Sequence, residues 1–198
     1  IDRIRALLPG VVFAVERARP GGRLAPTGGS SYDALDATLA DATEFALGDG
    51  YTPRWPVPRE THVAPIEELI AMGDVVKLLI RPGDALDIDA ASFFAIGIPA
   101  LDGIVEVTHA GLDGALLEIS APGVTKATTL ARVAAAEGHG ALHVVATGDG
   151  PNDLPMLAWA GSSYAVANAH PEVLEIATHV IPSNGDEGVA DLIDAVLE

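Results

Sequence analysis

Short apolar, β-branched runs alternate with helical patterns along most of this 198-residue sequence. The alternation predicts an α/β fold, because helices between successive strands have to cover the faces of a sheet. The segments with the pattern of strands are 11–15, 75–80, 104–108, 115–119, 142–146, 164–167 and 179–181. The segments with the pattern of helices are 32–47, 65–72, 90–96, 126–137, 152–160, 171–177 and 187–197. Suitable N-cap residues precede several of them, such as Ser30 or Ser31 ahead of the first and Thr125 ahead of 126–137. Two stretches rich in Gly and Pro have the composition of surface loops, 19–31 and 50–59.

The pattern changes near residue 121, where a Pro-Gly pair interrupts it. Upstream, the strand patterns 104–108 and 115–119 flank a short glycine-containing connection, as in a β-hairpin. Downstream, strands and helices alternate regularly, as they do in a parallel sheet. We therefore expect two domains, an N-terminal α/β domain over residues 1–121 and a parallel-sheet domain over residues 122–198.

The sequence is strongly acidic, with 11 Lys and Arg against 28 Asp and Glu and a formal net charge of −17. This charge repels phosphate backbones and anionic membrane surfaces, so we expect neither nucleic acid nor a membrane as a partner. The absence of Cys excludes disulfides and thiolate chemistry. No run approaches the roughly 18 consecutive apolar residues that a membrane span needs. We expect a soluble, cytoplasmic protein.

The strongest chemical signal is the run Thr-Gly-Asp-Gly-Pro-Asn-Asp over residues 147–153, where a predicted strand ends and a predicted helix begins. Parallel sheets place their ligand sites at such strand ends. Asp149 and Asp153 are four positions apart and can converge on one hard cation such as Mg²⁺. An isolated Asp-Gly pair is usually only a turn with a helix cap. A run with this many specified positions is rare by chance, which favours a site.

Lys126 is the next candidate, at the first turn of the predicted helix 126–137 and one of only two lysines. Exposed N–H groups at a helix N-terminus and an ammonium group both favour a phosphate oxygen. On spacing alone, a solvated surface lysine is an equally weighted alternative. The other lysine, Lys77, lies in an apolar strand pattern and is interpreted as structural.

The chain has only three asparagines, Asn152, Asn168 and Asn184, and each ends a strand or opens the loop behind one. This placement predicts that all three lie along one edge of a parallel sheet, although asparagine is also an ordinary turn residue. The six histidines show no metal-ligand spacing and are interpreted as structural or surface residues.

Four short runs, taken in order, carry a family resemblance. They are Gly-Val-Thr-Lys at 123–126, Gly-Asp-Gly-Pro-Asn-Asp-Leu-Pro-Met-Leu at 148–157, Ala-Val-Ala-Asn-Ala at 165–169 and Ser-Asn-Gly-Asp-Glu-Gly-Val at 183–189. In this order they resemble the haloacid dehalogenase-like hydrolases, and among these the Cof-type branch, subfamily IIB, which includes sugar-phosphate phosphatases. The match is dense over residues 121–198 and looser over residues 1–120.

The resemblance implies a partial Rossmann-like core with an inserted α/β cap. Residues 1–121 would be the cap, and residues 122–198 the C-terminal half of the core. It also implies Mg²⁺-dependent hydrolysis of a small phosphorylated metabolite, such as a sugar phosphate, through an aspartyl-phosphate intermediate. Cap residues select the substrate in this family, and Arg54, Trp55 and Lys77 are candidates for that role.

By position, Lys126 matches the catalytic lysine that steadies the nucleophile and the phosphoryl group. Asp149 matches the acidic metal ligand, and Asp153 matches the second acid of that motif, either a metal ligand or a partner of the lysine. Asn152 would order the loop, and Asn184 lies in a motif near the phosphate. Both asparagines are therefore candidate phosphate-binding residues.

The first motif of the family, Asp-any-Asp-Gly-Thr, supplies the nucleophile and the general acid/base, and it does not occur in this sequence. The Thr or Ser motif that binds the phosphoryl oxygen is also missing ahead of the cap. We therefore expect roughly 70–90 residues of core to lie upstream, and we expect the chain alone not to turn over substrate. The predicted strand 142–146 would then lack a neighbour, so its open edge would be covered by the missing segment or by a second chain.

Two alternatives to the phosphatase remain at this stage. The first is a non-catalytic protein that keeps the phosphate-binding and Mg²⁺-binding residues without the nucleophile. The second is a P-type ion pump, whose phosphorylation domain has a similar Thr-Gly-Asp-Gly-any-Asn-Asp run, and the lack of an apolar span in the sequence disfavours it.

Overall fold

A computed structural model of the chain describes residues 1–19, 43–109 and 114–197. These residues pack as two compact units, one within Ile1–Val107 and Ala115–Ala121 and the other within Thr108–Gly114 and Pro122–Glu198. Both units combine helices with a sheet, which confirms the predicted α/β class. Across the described ranges, none of the helices has the length and apolar character that a membrane span requires.

The first unit contains a six-stranded sheet. Its strands are β1 (Val11–Ala18), β2 (Thr43–Leu47), β3 (His62–Val63), β4 (Val75–Pro82), β5 (Glu106–Thr108) and β6 (Leu117–Ser120). Their order across the sheet is β3-β2-β1-β4-β6-β5. β1 pairs antiparallel with β2 and β4, and β4 pairs antiparallel with β6. The short β3 pairs parallel with β2.

Three helices cover one face of this sheet: α1 (Asp2–Leu7), α2 (Ile66–Ala71) and α3 (Ala90–Leu101). Successive side chains of a strand point to opposite faces. Phe13 of β1 therefore packs with Ile4 and Phe93 of the helices, while its neighbour Ala14 packs on the other face with Tyr51. The first unit thus has a main core under the helices and a smaller apolar cluster on its helix-free face.

The second unit contains a three-stranded, all-parallel sheet. Its strands are, in order, β7 (Val145–Gly148), β8 (Ser162–Val166) and β9 (His179–Ile181). Its helices are α4 (Lys126–Ala136), α5 (Leu154–Trp159), α6 (Pro171–Ile176) and α7 (Gly188–Leu197), with 3₁₀ turns at Ala141–His143, Pro151–Asp153 and Asn184–Asp186. Because the strands are parallel, their carboxyl ends lie at one edge of the sheet. The loops that follow the three strands therefore meet at that edge.

Most predicted elements occur with small shifts of their ends. β9 has the predicted bounds, and β1 runs three residues beyond its predicted end at Val15. β5 and β6 are neighbours in the sheet, as the hairpin prediction requires, but residues 110–113 of their connection lie outside the described residues. The prediction for 142–146 is wrong at its start, because residues 141–143 form a 3₁₀ turn and the strand begins at Val145.

The prediction of a helix over 32–47 is wrong at its C-terminal end, where Thr43–Leu47 form β2. Residues 32–42 lie outside the described residues, as do the helix cap expected at Ser30 or Ser31 and most of the predicted loop 19–31. β2 pairs with β1 and places Phe45 and Leu47 on the helix-free face, opposite to Ala46. A short apolar run fits both the helical period of 3.6 residues and the strand period of two, so the pairing with β1 decides its structure.

The N-terminus of α4 is held by reciprocal hydrogen bonds between two threonines. The backbone N–H of Thr128 donates to Thr125 Oγ1 at 3.1 Å, and the backbone N–H of Thr125 donates to Thr128 Oγ1 at 2.9 Å. This capping box satisfies two of the N–H groups that a helix start leaves unpaired. The cap predicted at Thr125 is confirmed. It fixes the first turn of α4, from which the Lys126 side chain projects.

We expect Thr125→Ala to lower the free energy of unfolding of the second unit by about 0.5–2 kcal/mol, the usual effect of losing an N-cap hydroxyl. Urea unfolding followed through Trp159 fluorescence in a Trp55→Phe background measures this unit alone. Thr129→Ala is the control, since Thr129 is exposed in the same helix. Equal stability of the two variants would contradict the role given to the cap.

Candidate active site

A cavity of about 380 Å³ lies at the carboxyl edge of the parallel sheet in the second unit. It is formed by the end of β7, the turn that follows it, the start of α4 and the segment after β9. Its lining residues are Lys126, Thr147, Gly148, Asp149, Asp153, Met156, Val166, Asn184 and Val189. The fold therefore brings four of the five predicted site residues to one cavity.

Asp153 is a buried acidic side chain of the cavity, with 4% of its surface exposed. Its Oδ2 accepts hydrogen bonds from the backbone N–H groups of Asp149 at 3.0 Å and Gly150 at 3.2 Å. Its Oδ1 accepts from Lys126 Nζ at 2.5 Å. A buried carboxylate is stable only when it is paired and hydrogen-bonded, and both oxygens of Asp153 meet that condition.

Gly148 makes this arrangement possible. A Cβ at position 148 would lie 2.6 Å from Asp153 Cβ and 2.8 Å from its Cγ and Oδ2. Those distances are below van der Waals contact, so any larger residue would push the carboxylate out of the turn. The Gly before Asp149 in the motif is therefore required by the close approach of Asp153.

The Lys126 ammonium group is paired with Asp153, but about half of the side chain remains exposed. Its ammonium group contacts Asp153, while 51% of the side chain is exposed to the cavity and solvent. An ammonium group has three N–H donors, and the described residues provide an acceptor for one of them. The remaining donors are available to an anionic ligand. This contact excludes the alternative of a fully solvated surface lysine.

Asp149 is held through its backbone rather than its side chain. Its N–H donates to Asp153, and its carbonyl accepts from the backbone N–H of His170 at 2.8 Å. The side chain is exposed and lines the cavity. No hydrogen bond or ion pair of this carboxylate is found within residues 1–19, 43–109 and 114–197. Its oxygens are therefore available to a ligand.

The donor set is compatible with Mg²⁺, which proteins often hold through one or two carboxylates together with water and substrate phosphate. Among the described residues, no side chain or backbone group pairs with the Asp149 carboxylate, whereas both oxygens of Asp153 accept protein hydrogen bonds. No group of three or more acidic or histidine side chains arranged to hold a metal occurs in the described part of the chain. The assignment of Asp149 and Asp153 as metal ligands stays a prediction.

Asn184 and Asn152 differ in their position relative to the cavity. Asn184 lines the cavity, and its backbone N–H donates to Asn168 Oδ1 at 3.0 Å. Asn168 thus connects the loop after β8 to the segment after β9. Asn152 is half-buried in the 3₁₀ turn and is not among the residues that line the cavity. Its predicted roles, in ordering the loop and in binding phosphate, stay predictions.

The structure adds one polar residue that the sequence analysis did not single out for its chemistry. Thr147, the last residue before Gly148, lines the cavity, and its Oγ1 is buried without a hydrogen-bond partner among the described residues. Burial of a single hydroxyl at a strand end depends on the neighbouring chain segments, so no local pattern indicates it.

Residues 101–193 match the family model of the haloacid dehalogenase-like hydrolases. This segment belongs to that family. It contains every residue that lines the cavity described above, so the resemblance to the haloacid dehalogenase-like hydrolases is confirmed.

Two curated relatives are similar to parts of the chain. A phosphoglycolate phosphatase of Methanothrix thermoacetophila is 35% identical over 117 residues, which are 59% of this chain and 49% of the relative. A 5-amino-6-(5-phospho-D-ribitylamino)uracil phosphatase of Escherichia coli is 38% identical over 99 residues, 50% of this chain and 36% of the relative. The chain therefore spans about half or less of the length of these proteins.

Solved structures show that the likeness of fold covers both units. The protein SMU.1108c of Streptococcus mutans aligns with a TM-score of 0.63 at 20% identity, covering 98% of this chain and 64% of that structure. A sugar phosphatase of haloacid dehalogenase subclass IIB aligns with a TM-score of 0.61 at 15% identity, covering 98% of this chain and 65% of that structure. At these identities the comparison establishes the fold.

We expect Asp153→Asn to lower the free energy of unfolding of the second unit by about 1–3 kcal/mol. The amide of Asn cannot accept hydrogen bonds from Lys126 Nζ and both backbone N–H groups, because its NH₂ group would face at least one of these donors. The same urea unfolding of the Trp159 signal measures the change. Asp191→Asn on the exposed face of α7 is the matched control. An effect no larger than that of the control would show that the hydrogen bonds of Asp153 do not stabilise the turn.

Proposed function

We propose that this chain is part of a Mg²⁺-dependent phosphoric monoester hydrolase of the Cof-type, subfamily IIB branch. The observation that carries the proposal is the presence of Lys126, Asp149 and Asp153 in one cavity at the carboxyl edge of a parallel sheet. The cavity offers an ammonium group with free donors and a free carboxylate, which are the groups that recognise a phosphate together with its metal ion.

Each residue has a separate part in the proposed site. Lys126, oriented by Asp153, donates to a phosphoryl oxygen and stabilises the charge that develops there. Asp149 would hold Mg²⁺, and the bound ion would supply Lewis-acid stabilisation of the phosphoryl group. Asn184, connected to Asn168, lies on the wall of the same cavity and would contact the phosphate. The free donors of Lys126 and the free carboxylate of Asp149 support these roles.

The proposed reaction also needs a nucleophile, which these residues do not provide. An aspartyl-phosphate intermediate requires an aspartate in line with the leaving group, and the sequence contains no Asp-any-Asp-Gly-Thr motif. We propose that the nucleophile comes from outside these 198 residues. The first unit would then be the cap, and the second unit the C-terminal half of the catalytic core.

The substrate in this proposal is a small phosphorylated metabolite, with a sugar phosphate as the first choice. The family resemblance supports that choice, and the curated relatives are named for phosphoglycolate and for a phosphorylated ribitylamino-uracil. A cytoplasmic location is part of the same proposal, because such metabolites are intracellular.

The proposal includes a covering partner for β7. This strand is at the edge of the three-stranded sheet, with Val145 43% exposed and the nearby Leu142 90% exposed. An open edge strand beside apolar surface pairs readily with another strand. The covering strand would come from a further segment of the same protein or from a second chain.

We expect Lys126→Ala to weaken the binding of inorganic phosphate, in the presence of MgCl₂, by about tenfold or more, as a charge-assisted hydrogen bond contributes about 1.5–3 kcal/mol. Isothermal titration calorimetry of the 198-residue chain measures the dissociation constant. Arg132→Ala, an exposed cation on the same helix, is the control for general charge effects. Unchanged binding in Lys126→Ala, or equal weakening by both variants, would contradict the site.

In the protein that includes the nucleophile segment, we expect Asp149→Ala to abolish Mg²⁺-dependent hydrolysis of p-nitrophenyl phosphate, and Lys126→Ala to slow it by about a hundredfold or more. Asp191→Ala should leave the rate unchanged. The 198-residue chain alone should show no turnover above background. Turnover by the chain alone would disprove an external nucleophile, and phosphate binding without hydrolysis by the complete protein would favour the non-catalytic alternative.

A further inference from the structure

Two histidines of the second unit, His139 and His143, lie close together between α4 and β7. Their ring centroids are 5.7 Å apart, and the ring planes are tilted by 50°. Both residues are exposed. The 3₁₀ turn 141–143 precedes the amino end of β7, whereas the candidate active site lies at the carboxyl end of that strand. The histidine pair is therefore separate from the candidate active site.

Hydrogen bonds restrain the backbone that carries the two rings. The N–H of His139 donates to the carbonyl of Ala134, in the last turn of α4, at 2.8 Å. Between the histidines, the carbonyl of Ala141 accepts from the N–H of Gly161 at 2.7 Å. A Cβ at position 161 would lie 2.6 Å from the same carbonyl oxygen, so the two segments are in close contact. Rings on a restrained backbone lose little conformational freedom when they bind one ligand together.

The distance between the rings fits two ligands of one metal ion. In a tetrahedral zinc site the imidazole nitrogens lie about 2.0–2.1 Å from the ion, which places the centroids of two ligand rings roughly 5 Å apart. Small side-chain rotations convert the observed 5.7 Å into that value. Within the described ranges, neither imidazole has a hydrogen bond or an ion pair. The ring nitrogens are therefore available to a ligand.

The electrostatic surroundings of the pair favour a cation. His139 follows closely on the C-terminal end of α4, where the helix dipole is negative. The C-cap residue of that helix, Glu137, adds an exposed carboxylate. The whole chain has a formal net charge of −17, which attracts cations from solution.

We propose that His139 and His143 together bind one divalent transition-metal ion such as Zn²⁺. Imidazole nitrogen suits such ions, whereas Mg²⁺ prefers oxygen ligands. Water would fill the other coordination positions, since no third histidine or acidic side chain joins the pair in the described part of the chain. The bound ion would connect the end of α4 to the turn before β7. This inference does not depend on the proposed phosphatase activity.

Both histidines were interpreted from the sequence as structural or surface residues. They lie four positions apart, which brings two rings together within one continuous helix. Here α4 ends before His139, and His143 belongs to a separate 3₁₀ turn. The proximity of the rings therefore follows from the folded turn and not from helical spacing.

The test is the binding of Zn²⁺ to the 198-residue chain in excess MgCl₂, measured by isothermal titration calorimetry. We expect one Zn²⁺ per chain. His139→Gln and His143→Gln should each weaken binding by about tenfold or more, because a single imidazole loses the advantage of two linked ligands. His62→Gln, an exposed histidine of the first unit, is the matched control and should leave the dissociation constant unchanged. Asp149→Ala should also leave it unchanged.

A second measurement follows stability. Zn²⁺ should raise the urea midpoint of the Trp159 signal in the Trp55→Phe background, because an ion that binds only the folded unit stabilises it. The same addition should have no effect once His139→Gln is introduced. A midpoint shift that persists in that variant would contradict the proposal. So would the absence of zinc binding, a loss of affinity in only one of the two histidine variants, equal weakening by His62→Gln, or one ion per two chains. Weaker binding in Asp149→Ala would place the ion in the candidate active site and overturn the proposal as well.

Discussion

The candidate site depends on one buried carboxylate. Asp153 accepts two backbone hydrogen bonds from its own turn and one from Lys126, with 4% of its surface exposed. A buried negative charge without these partners would be strongly unfavourable, so the turn and the lysine have to adopt positions that satisfy it. The same carboxylate holds the Lys126 ammonium group at the cavity that Asp149 also lines.

The sheets of the two units differ in size and in what lies against them. The first has a six-stranded sheet with a helix-covered core on one face and a small apolar cluster on the other. The second has three short parallel strands, and the side chains of the candidate site lie where those strands end. In the second unit a hydrogen bond also joins two of these loops, from the backbone N–H of Asn184 to Asn168 Oδ1.

Much of the fold could be predicted from periodicity. β9 and the Thr125 cap were predicted correctly, because both depend on local sequence. β2 was predicted as a helix, since its five residues fit either period and only pairing with β1 determines the result. β7 begins later than predicted because the preceding residues close a 3₁₀ turn, which local hydrophobicity does not show.

For the site, the residue types and their spacing follow from the amino-acid order alone: two carboxylates four positions apart, glycines around them, and a lysine at a helix start. Only the tertiary structure distinguished the carboxylates, turning Asp153 inward and leaving Asp149 open to a ligand. The reason is steric and electrostatic. The missing Cβ of Gly148 gives Asp153 room to fold back, and the N–H groups and ammonium that it meets come from positions that only the folded chain brings together.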